Sequence, residues 1–503
     1  MRKKEDFVWL CLGPTPTYFF KDDRPGAGVH AVSFAGFYSV LAGIMTRVLF
    51  NISSARRFAF AAVLAAPILA AAADLRPNIV FILTDDLRWD ALSCTGRPLP
   101  GYQTPNIDRL AHEGATFTQA FVTTPLCFPS RASILTGRYV HSHGVRVEAD
   151  RAKGHDLITF PLLLHRAGYE TAFFGKWHLE HENVPPPGID HWVSFRGQGQ
   201  YLNPELFIDH RTEKREGYLT AMLNGYAVEF LRQPHNKPFL LYLSHKAPHA
   251  PFIPAEEYRG RFNAVPVIPP PGASDTWEGK PVLKRPGIVL DPTDSDVETT
   301  HFNIRDYLSS VLSIDDGVGR ILEALKETGQ LDNTIIVFTS DNGYFFSEHD
   351  LGGKHGPYEE AVRVPLLVRY PKLIPPRMHI DRFALNIDLA PTFLDAAGTP
   401  IPPGMEGHSL MPLFRGDVPG WRTAFLTEFF LGGGTNRFPD WQAVRTARWK
   451  YIHYVNKDEF DELYDLAADP HELNNVIHAA SNQDELTKLR GELGSFLPTS
   501  SGR

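Results

Sequence analysis

Short, uninterrupted apolar runs rich in β-branched residues recur along this chain and constrain its fold. The first, at 78–83, reads Asn-Ile-Val-Phe-Ile-Leu, and similar runs lie at 170–175, 239–243 and 334–340. Strands that are apolar on both faces are typical of a parallel sheet covered by helices. An amphipathic helical pattern at 301–326 and other helical segments alternate with these runs. The chain is therefore predicted to be an α/β protein whose mixed, mostly parallel sheet is flanked by helices.

Acidic side chains follow two of the predicted strands directly. Asp85 and Asp86 come after the first run, and Asp341 and Asn342 come after the run at 334–340. Ligands of open α/β sheets bind beyond the carboxyl ends of the strands, so the four side chains are expected to converge. Helix capping with solvent exposure is an equal alternative for the first pair alone. Together, the four predict a Ca²⁺ or Mg²⁺ site, because zinc prefers His or Cys ligands.

Lysine and histidine side chains follow two other predicted strands. Lys176 and His178 alternate after the run at 170–175, so on an extended segment they share one face. The run at 239–243 leads into Ser-His-Lys-Ala-Pro-His-Ala-Pro, which contains His245 and His249. Taken alone, such residues more often belong to surface turns and solvated loops. Their position after apolar strands favours a functional site instead.

Residues 127–138 read Cys-Phe-Pro-Ser-Arg-Ala-Ser-Ile-Leu-Thr-Gly-Arg. Pro129 suits the first turn of a helix, and Gly137 can end that helix in a left-handed conformation. Cys127 would then lie at the helix N-terminus, where free N–H groups and the helix dipole favour an anion. Arg131, one turn later, can point at the same place. A buried cysteine before an ordinary helix is the plain alternative.

The pattern Cys-x-Pro-Ser-Arg followed by Thr-Gly-Arg resembles the signature of the formylglycine-dependent (type I) sulfatases at every fixed position. The acidic pairs, the segment Thr-Pro-Asn-Ile-Asp-Arg-Leu-Ala from 104, and the Gly-Gly-Lys loop ending at Lys354 also resemble that family in order. In the family, the cysteine is oxidised to formylglycine by a maturation enzyme. The resemblance covers most of residues 76–475. It implies an alkaline-phosphatase-like fold, one Ca²⁺ ion with Mg²⁺ as the alternative, and hydrolysis of sulfate esters.

The resemblance also implies a role for individual residues. The implied metal ligands are Asp85, Asp86, Cys127, Asp341 and Asn342, and the implied catalytic residues are Cys127, Arg131, Lys176, His178, His249 and Lys354. One hydroxyl of the hydrated formylglycine would attack sulfur, with His249 assisting the leaving group. His178 would then take a proton from the second hydroxyl so that sulfate is expelled. Arg131 and Lys176 would hold the formylglycine. Lys176 and Lys354 would bind the sulfate oxygens. His245 is a weaker candidate for the leaving-group role.

Residues 341–368 look most like those of carbohydrate sulfatases of the N-acetylglucosamine-6-sulfatase-like group, which implies a sulfated sugar as substrate. A general arylsulfatase is the alternative at the level of substrate. A phosphonate monoester or phosphodiester hydrolase of the same fold is an alternative enzyme class. Turnover of matched aryl sulfates and phosphates would separate it from a sulfatase. A non-catalytic sulfated-glycan-binding protein would bind the sugar without releasing sulfate. The Pro- and Gly-rich stretch at 252–300 is predicted to be a surface excursion, long enough to shape a sugar subsite.

The N-terminal part is predicted to direct export to the periplasm or the outside. Residues 1–44 show no sustained periodicity and are predicted to be an unfolded upstream extension. Within 45–73, two arginines precede the apolar run at 58–69 and a series of small residues, which is typical of a signal peptide. An uncleaved anchor is the alternative, although the run is short for a span of ~20 residues. After cleavage, no stable membrane insertion is expected.

The remaining chain is divided into a catalytic domain at 74–400 and a C-terminal subdomain at 401–503 with short antiparallel strands and a helix. The net charge of −8 and the lack of basic clustering exclude a nucleic-acid footprint. The three cysteines are too few for a disulfide framework. Thr104 is predicted to cap a helix that begins at Pro105. Asp315 and Asp316, inside the helix at 301–326, are predicted to be solvated or locally hydrogen-bonded.

Overall fold

The computed structural model describes residues 76–96, 99–273, 275–285, 297–416, 418–431 and 438–497, and the backbone of two short strands nearer the N-terminus. These two strands, β1 (Thr17–Phe20) and β2 (His30–Ser33), pair antiparallel within the unit Met1–Leu75. The rest of the predicted extension and the predicted signal peptide at 45–73 lie outside the described residues. Arg76–Arg503 forms a second compact unit.

The second unit alternates strands and helices along the chain. Its strands are β3 (Asn78–Asp85), β4 (Ala115–Phe117), β5 (Ala120–Phe121), β6 (Glu170–Gly175), β7 (His191–Ser194), β8 (Glu205–Ile208), β9 (Arg211–Lys214), β10 (Phe239–Pro248), β11 (Thr334–Ser340), β12 (Phe345–Phe346), β13 (Gly352–Gly353), β14 (Leu366–Arg369), β15 (Met378–Ile380), β16 (Ala384–Leu385), β17 (Ala424–Phe429), β18 (Trp441–Thr446), β19 (Trp449–Tyr454) and β20 (Glu462–Asp465). Its helices are α1 (Pro105–Glu113), α2 (Cys127–Thr136), α3 (Val140–His143), α4 (Phe160–Arg166), α5 (Leu219–Arg232), α6 (Val297–Glu327), α7 (Glu359–Val362), α8 (Leu389–Ala396) and α9 (Gln483–Phe496).

Ten strands of the described residues form the large sheet, in the order β15-β4-β14-β11-β3-β10-β6-β7-β8-β9. The centre is parallel: β3 pairs with β11 on one side and β10 on the other, and β10 continues to β6 and β7. Antiparallel pairing begins at β14 and at β8, towards the two edges. The predicted class, a mixed and mostly parallel sheet, is confirmed. The carboxyl ends of β3, β6, β10 and β11 therefore open at the same edge of the sheet.

Alternate residues of β3 enter two different cores, as the two-residue period of a strand requires. Ile79, Phe81 and Leu83 join one apolar cluster, which also contains residues of α2 and α8. Val80 and Ile82 join the other, which contains residues of α5 and α6. All five are fully buried, and burial of each such side chain stabilises the fold by about 1.5–3 kcal/mol. Helices thus cover both faces, which explains why the strand is uninterruptedly apolar.

The smaller sheet of the C-terminal region is antiparallel, in the order β17-β18-β19-β20. Helix α9 packs against it through Leu489 and Leu493. Phe425 of β17 and Trp441 of β18 belong to the same apolar cluster as Phe81 of β3, so the two sheets share one core. The predicted subdomain of short antiparallel strands and a helix is confirmed, and its apolar core is continuous with that of the large sheet.

The start of α1 differs from the prediction. Thr104 makes no side-chain capping bond; its hydroxyl donates instead to Asp108 at 2.9 Å. Asp315 of α6 caps the helix, since its carboxylate accepts the backbone N–H groups of Asn106 at 3.0 Å and Ile107 at 2.8 Å. The prediction of solvation or local hydrogen bonding is wrong for Asp315, which is buried and bonds to another helix. A local sequence pattern cannot specify a cap that comes from about two hundred residues away.

The predicted surface excursion is only partly on the surface. Ile268 is 84% exposed, as expected for a peripheral loop. Lys280, in contrast, is fully buried and contacts Asp275 and His349. Residues 274 and 286–296 lie outside the described part of the chain. No helix of the described residues is long and apolar enough to cross a bilayer.

Candidate active site

Two neighbouring strands deliver the four predicted oxygen ligands to one place. In the parallel register of β3 and β11, Thr84 lies opposite Ser340, so the residues that follow each strand are adjacent. The backbone N–H of Asp86 donates to Asp341 Oδ1 at 3.1 Å, and Asn342 Nδ2 donates to Asp86 Oδ1 at 2.6 Å. All four side chains are buried. The strand ends meet because the central sheet is parallel, as the sequence predicted.

Cys127 is the first residue of α2, and Gly137 ends that helix with φ of 65°, its N–H bonded to Ser133 O at 2.8 Å. The Cys127 thiol is 3.4 Å from Asp85 Oδ1 and 2.8 Å from Lys354 Nζ. Burial, together with the charge of Asp85, raises the pKa of this thiol to about 12. An unmodified Cys127 is therefore a neutral thiol at physiological pH, which is a poor nucleophile.

Arg131 connects the cysteine helix to the ends of the strands. Its Nε and Nη2 lie 2.9 and 2.8 Å from Asp341 Oδ2, and its Nη1 donates to Lys176 O and to Ser244 Oγ, each at 2.7 Å. The guanidinium is fully buried. Such a buried, multiply hydrogen-bonded arginine fixes the position of α2 relative to β6, β10 and β11.

Lys176 and Lys354 each contact one of the acidic pair. The Lys176 ammonium donates to Asp85 Oδ2 and, at 2.6 Å, to Gln198 Oε1. The Lys354 ammonium donates to Asp86 Oδ1. Burial alone would raise the pKa of Asp85, but Lys176 and the neighbouring cations hold it well below its usual range. Both carboxylates are therefore ionised at neutral pH.

The two predicted histidines lie at the centre and are neutral. Burial, reinforced by Lys176 and Arg131, holds the pKa of His178 well below its usual value, and its Nδ1 has no partner among the described residues. Burial likewise lowers the pKa of His249 to about 4. His249 Nδ1 is 2.7 Å from Ala250 O, and its Nε2 is 3.6 Å from Asp86 Oδ2. A neutral ring bonded in this way carries its proton on Nδ1 and leaves Nε2 as an acceptor.

His245 does not join these groups. Successive residues of a strand point to opposite faces, and Ser244 of β10 points towards Arg131. His245 is fully buried on the other face, and burial alone lowers its pKa to about 3. The structure thus separates the two histidines of the Ser-His-Lys-Ala-Pro-His loop, and only His249 reaches the centre.

The donor atoms of the centre suit a hard divalent cation. One ligand atom from each of four residues lies within 4.8 Å of the others, and these residues are Asp85, Asp86, Cys127 and His249. Asn342 Oδ1 is buried and has no hydrogen-bond partner among the described residues. Burial and the charge of Asp85 raise the pKa of Asp341 to about 7, which a bound cation would reverse. Carboxylate and amide oxygens are the ligands that Ca²⁺ and Mg²⁺ prefer.

Sequence reasoning missed two polar residues of the centre. Gln198 accepts a hydrogen bond from Lys176, yet it belongs to no motif or strand end, so no local signal identifies it. Lys246 lies in the Ser-His-Lys-Ala-Pro-His segment, whose pattern predicted no function for it. Because Lys246 lies two residues after Ser244, the period of a strand places it on the same face. Burial and the charge of Lys176 lower its pKa to about 8.

Known proteins resemble this chain over most of its length. The model of the sulfatase family matches residues 77–399, and that of N-sulphoglucosamine sulphohydrolase, C-terminal, matches residues 347–497. An N-acetylglucosamine-6-O-sulfatase of Bacteroides thetaiotaomicron is 36% identical over 485 residues, which cover 83% of this chain and 86% of the relative.

Solved structures extend this likeness. A protein in complex with its substrate D-glucosamine-2-N,6-O-disulfate matches with a TM-score of 0.77 at 34% identity, covering 84% of this chain and 97% of that one. The phosphonate monoester hydrolase of Agrobacterium radiobacter shares the fold, with a TM-score of 0.65, 24% identity, and coverage of 83% and 96%. The chain belongs to the sulfatase family and is a sulfuric ester hydrolase.

Proposed function

We propose that this protein removes sulfate from a 6-sulfated glucosamine-type sugar, and that Cys127 acts after conversion to formylglycine. The observation that carries the proposal is the position of Cys127 at a helix N-terminus, 3.4 Å from Asp85 Oδ1 and 2.8 Å from Lys354 Nζ. Anionic oxygens are stabilised at such a helix end, and here lysine and carboxylate groups surround it. The raised thiol pKa argues against direct attack by an unmodified cysteine.

Formylglycine, as its hydrate, supplies two hydroxyls on one carbon, one for attack on sulfur and one for the later release of sulfate. The residues of this chain orient that carbon and hold the ester. Arg131, bonded to Asp341 and to Lys176 O, fixes the start of α2 and therefore the side chain at position 127. The ammonium groups of Lys176 and Lys354 flank this position and would bind the oxygens of the sulfate group. Preorganised charge of this kind is usually the largest contribution to catalysis.

Two neutral histidines would move protons. His178 can accept a proton because its pKa is held well below neutrality by burial and by neighbouring cations. His249 offers Nε2 towards Asp86 and would stand beside the departing oxygen of the sugar. An incoming sulfate ester is negatively charged, so it would raise the pKa of His249 and allow the ring to donate a proton.

We propose one Ca²⁺ ion, with Mg²⁺ as the alternative, held by the acidic centre. The ligands would be Asp85, Asp86, Asp341, Asn342 and the modified residue 127, with His249 close to the same position. The ion would supply a Lewis acid for the developing charge. The acidic pair and the unpartnered Asn342 oxygen support this proposal.

The choice of sugar rests on the relatives. The N-acetylglucosamine-6-O-sulfatase of Bacteroides thetaiotaomicron matches over most of both chains, and the glucosamine disulfate complex has the same fold at 34% identity. We also propose export, which rests on the basic pair and apolar run within 45–73. N-terminal sequencing of protein secreted by the native host would locate the mature start, which is expected near residue 74.

The test is to express the protein with a formylglycine-generating enzyme and to identify residue 127 by mass spectrometry of its peptide. Sulfate release would then be measured from N-acetylglucosamine-6-sulfate and from the 3-sulfate isomer as a matched control. We expect an aldehyde at residue 127 and turnover that favours the 6-sulfate. A matched pair of aryl sulfate and aryl phosphonate reports the reaction class.

Different results would overturn different parts of the proposal. An unmodified thiol in a host that converts another sulfatase would remove the formylglycine mechanism. Equal turnover of both sugar isomers would remove the assigned position, and faster turnover of the phosphonate would favour the phosphonate monoester hydrolase activity. Binding of the sugar without any release of sulfate would indicate a glycan-binding protein.

A further inference from the structure

Lys246 is a buried lysine for which the proposed mechanism has no use. It lies near the end of β10, where the pairing with β3 shifts register between Ser244 and Pro248. Its side chain shares the face of Ser244, which bonds to Arg131 and to Lys176 O. Only 2% of the residue is exposed, and the charges that act on its ammonium include those of Lys176, Asp85 and Asp86.

The contacts of this ammonium leave most of its hydrogen-bonding capacity open. It donates to Ala250 O at a long 3.3 Å and lies 4.7 Å from the centre of the Tyr201 ring. Within the described residues, no carboxylate oxygen lies within 4.0 Å of it. A lysine ammonium has three donors, and burial of a charge without a partner is costly. The ammonium of Lys246 therefore has donors free to bind an anion.

The other cations of the centre differ from Lys246 in this respect. Each of them contacts a carboxylate, and these pairs are Arg131 with Asp341, Lys176 with Asp85, and Lys354 with Asp86. The positive charge of Lys246 is therefore the one at this centre, within the described residues, that no carboxylate balances at close range. Asp85, Asp86 and Cys127 act electrostatically on this ammonium, and it lies on the face of β10 that carries Ser244, so an anion bound to it would lie on the side of the candidate centre.

We propose that Lys246 binds an oxygen of the substrate's sulfate group and is a third sulfate-binding lysine of this enzyme. The inference rests on the proposed function, because it takes the sulfate ester as the anion. In this role, the positive charge of Lys246 binds the negative charge of the sulfate ester. The Tyr201 ring contacts the ammonium, and Tyr201 is itself fixed by donation of its hydroxyl to His249 O at 2.7 Å.

The first test is the affinity of the Ca²⁺-loaded Cys127→Ser protein for inorganic sulfate, measured by calorimetry with and without Lys246→Met. Methionine keeps the unbranched apolar stem and removes the charge. We expect sulfate to bind about 10–100-fold more weakly, which is the effect of losing one charge-assisted hydrogen bond. Lys246→Arg, which keeps the charge, should retain more affinity than Lys246→Met. In the converted enzyme, Lys246→Met should raise KM for the sulfated sugar.

Lys280→Met is the matched control, since Lys280 is equally buried but contacts Asp275 and His349. It should lower the melting temperature and leave sulfate affinity unchanged. Equal sulfate affinity of a folded Lys246→Met protein and its parent would overturn the proposal. If that variant does not fold, a crystal structure of the Cys127→Ser protein with bound sulfate tests the role of Lys246 directly. The Lys246 ammonium must then lie within hydrogen-bonding distance of a sulfate oxygen, and a longer separation would refute the role.

These results are separable from the proposed function. Sulfate binding that depends on Lys246, in an enzyme that releases no sulfate from the sugar, would remove the proposed substrate and keep the anion site. Turnover that proceeds normally in Lys246→Met would keep the proposed function and remove the role of Lys246.

Discussion

Two clusters of buried charge in this molecule differ in how completely their groups are paired. The junction cluster, formed by Glu359, Arg445, Lys450 and Glu472, lies where α7 meets the smaller sheet. There, Lys450 Nζ is 2.8 Å from Glu359 Oε1 and 2.7 Å from Glu472 Oε1, and it donates to Pro357 O at 3.2 Å. Two carboxylates therefore lie close to this ammonium and balance its charge. Lys246 of the candidate catalytic centre is buried to a similar degree, but its ammonium has a single long hydrogen bond within the part of the chain that the structure describes.

The difference teaches that buried charge alone does not identify a site. In the junction cluster, each buried cation has a carboxylate within 3.4 Å, so the charges balance without a ligand and the cluster acts in the packing of the two sheets. Among the described residues, the candidate catalytic centre contains a lysine without a carboxylate at close range, an amide oxygen without a donor, and a histidine nitrogen without a partner. Incomplete pairing of several buried groups at one helix N-terminus is what indicates bound ions and substrate.

The largest expected effect concerns Cys127, the proposed nucleophile after conversion to formylglycine. Cys127→Ser removes the thiol that conversion requires, and a serine ester has no second hydroxyl with which to expel sulfate. Sulfate release should fall by at least roughly 10³-fold, as expected for loss of a covalent nucleophile. Steady-state assays of sulfate release measure the loss. An unchanged melting temperature shows that the variant is folded. Retained turnover would place the nucleophile elsewhere.

The junction cluster should respond to charge removal in stability instead of activity. Lys450→Met leaves Glu472 buried without its cation and Glu359 with Arg445 alone, and this should lower the free energy of unfolding by about 3–5 kcal/mol. Urea denaturation measures the change, and Lys326→Met, on the exposed surface of α6, is a control that should have little effect. A loss as small as that of Lys326→Met would contradict the distinction drawn between the two clusters.

Metal binding at the candidate catalytic centre should raise the melting temperature, and this response should not depend on the junction cluster. Ca²⁺ at 100 times its dissociation constant should stabilise the native state by about 2.7 kcal/mol and raise its melting temperature. Asp86→Asn, which removes one charge of the acidic pair, should weaken this response, whereas Lys450→Met should keep it. Thermal denaturation with EDTA and with added Ca²⁺ measures both. A response that persists fully in Asp86→Asn would locate the ion away from the acidic pair.

The smallest expected effect is a pH dependence beside the junction cluster. Burial alone would lower the pKa of His349, but Asp275 at 2.9 Å and Glu360 at 3.7 Å raise it to about 9. Because the pKa is raised on folding, this contact stabilises fully below the unfolded value of 6.5 and is lost as pH rises towards 9. The loss should be on the order of 1–3 kcal/mol between these values.

Urea denaturation across this pH range measures that loss. His349→Gln should flatten the dependence because glutamine cannot be protonated, whereas His379→Gln, on the edge strand β15, should leave it as in the parent protein. A steep dependence that remains in His349→Gln would assign the titration to another group.

Much of the centre could be predicted because its residues lie in local patterns. The two pairs of oxygen ligands follow apolar strands. A parallel sheet brings the carboxyl ends of such strands to the same edge, regardless of the sequence between them. The helix from Cys127 is specified by Pro129 near its start and Gly137 at its end. Gln198 and the cap of α1 by Asp315 could not be predicted, since both depend on partners distant in sequence.

By itself, the sequence determined the class of fold, the helix that begins at Cys127, and the set of side chains at the strand ends. These follow from periodicity, turn residues and chain order, which act over a few residues. Only the tertiary structure decided which face of β10 points towards the centre, and that one buried lysine has a carboxylate at close range while another, within the described residues, has none. Those outcomes depend on strand direction, burial and the distances between groups far apart in the chain, which no local pattern specifies.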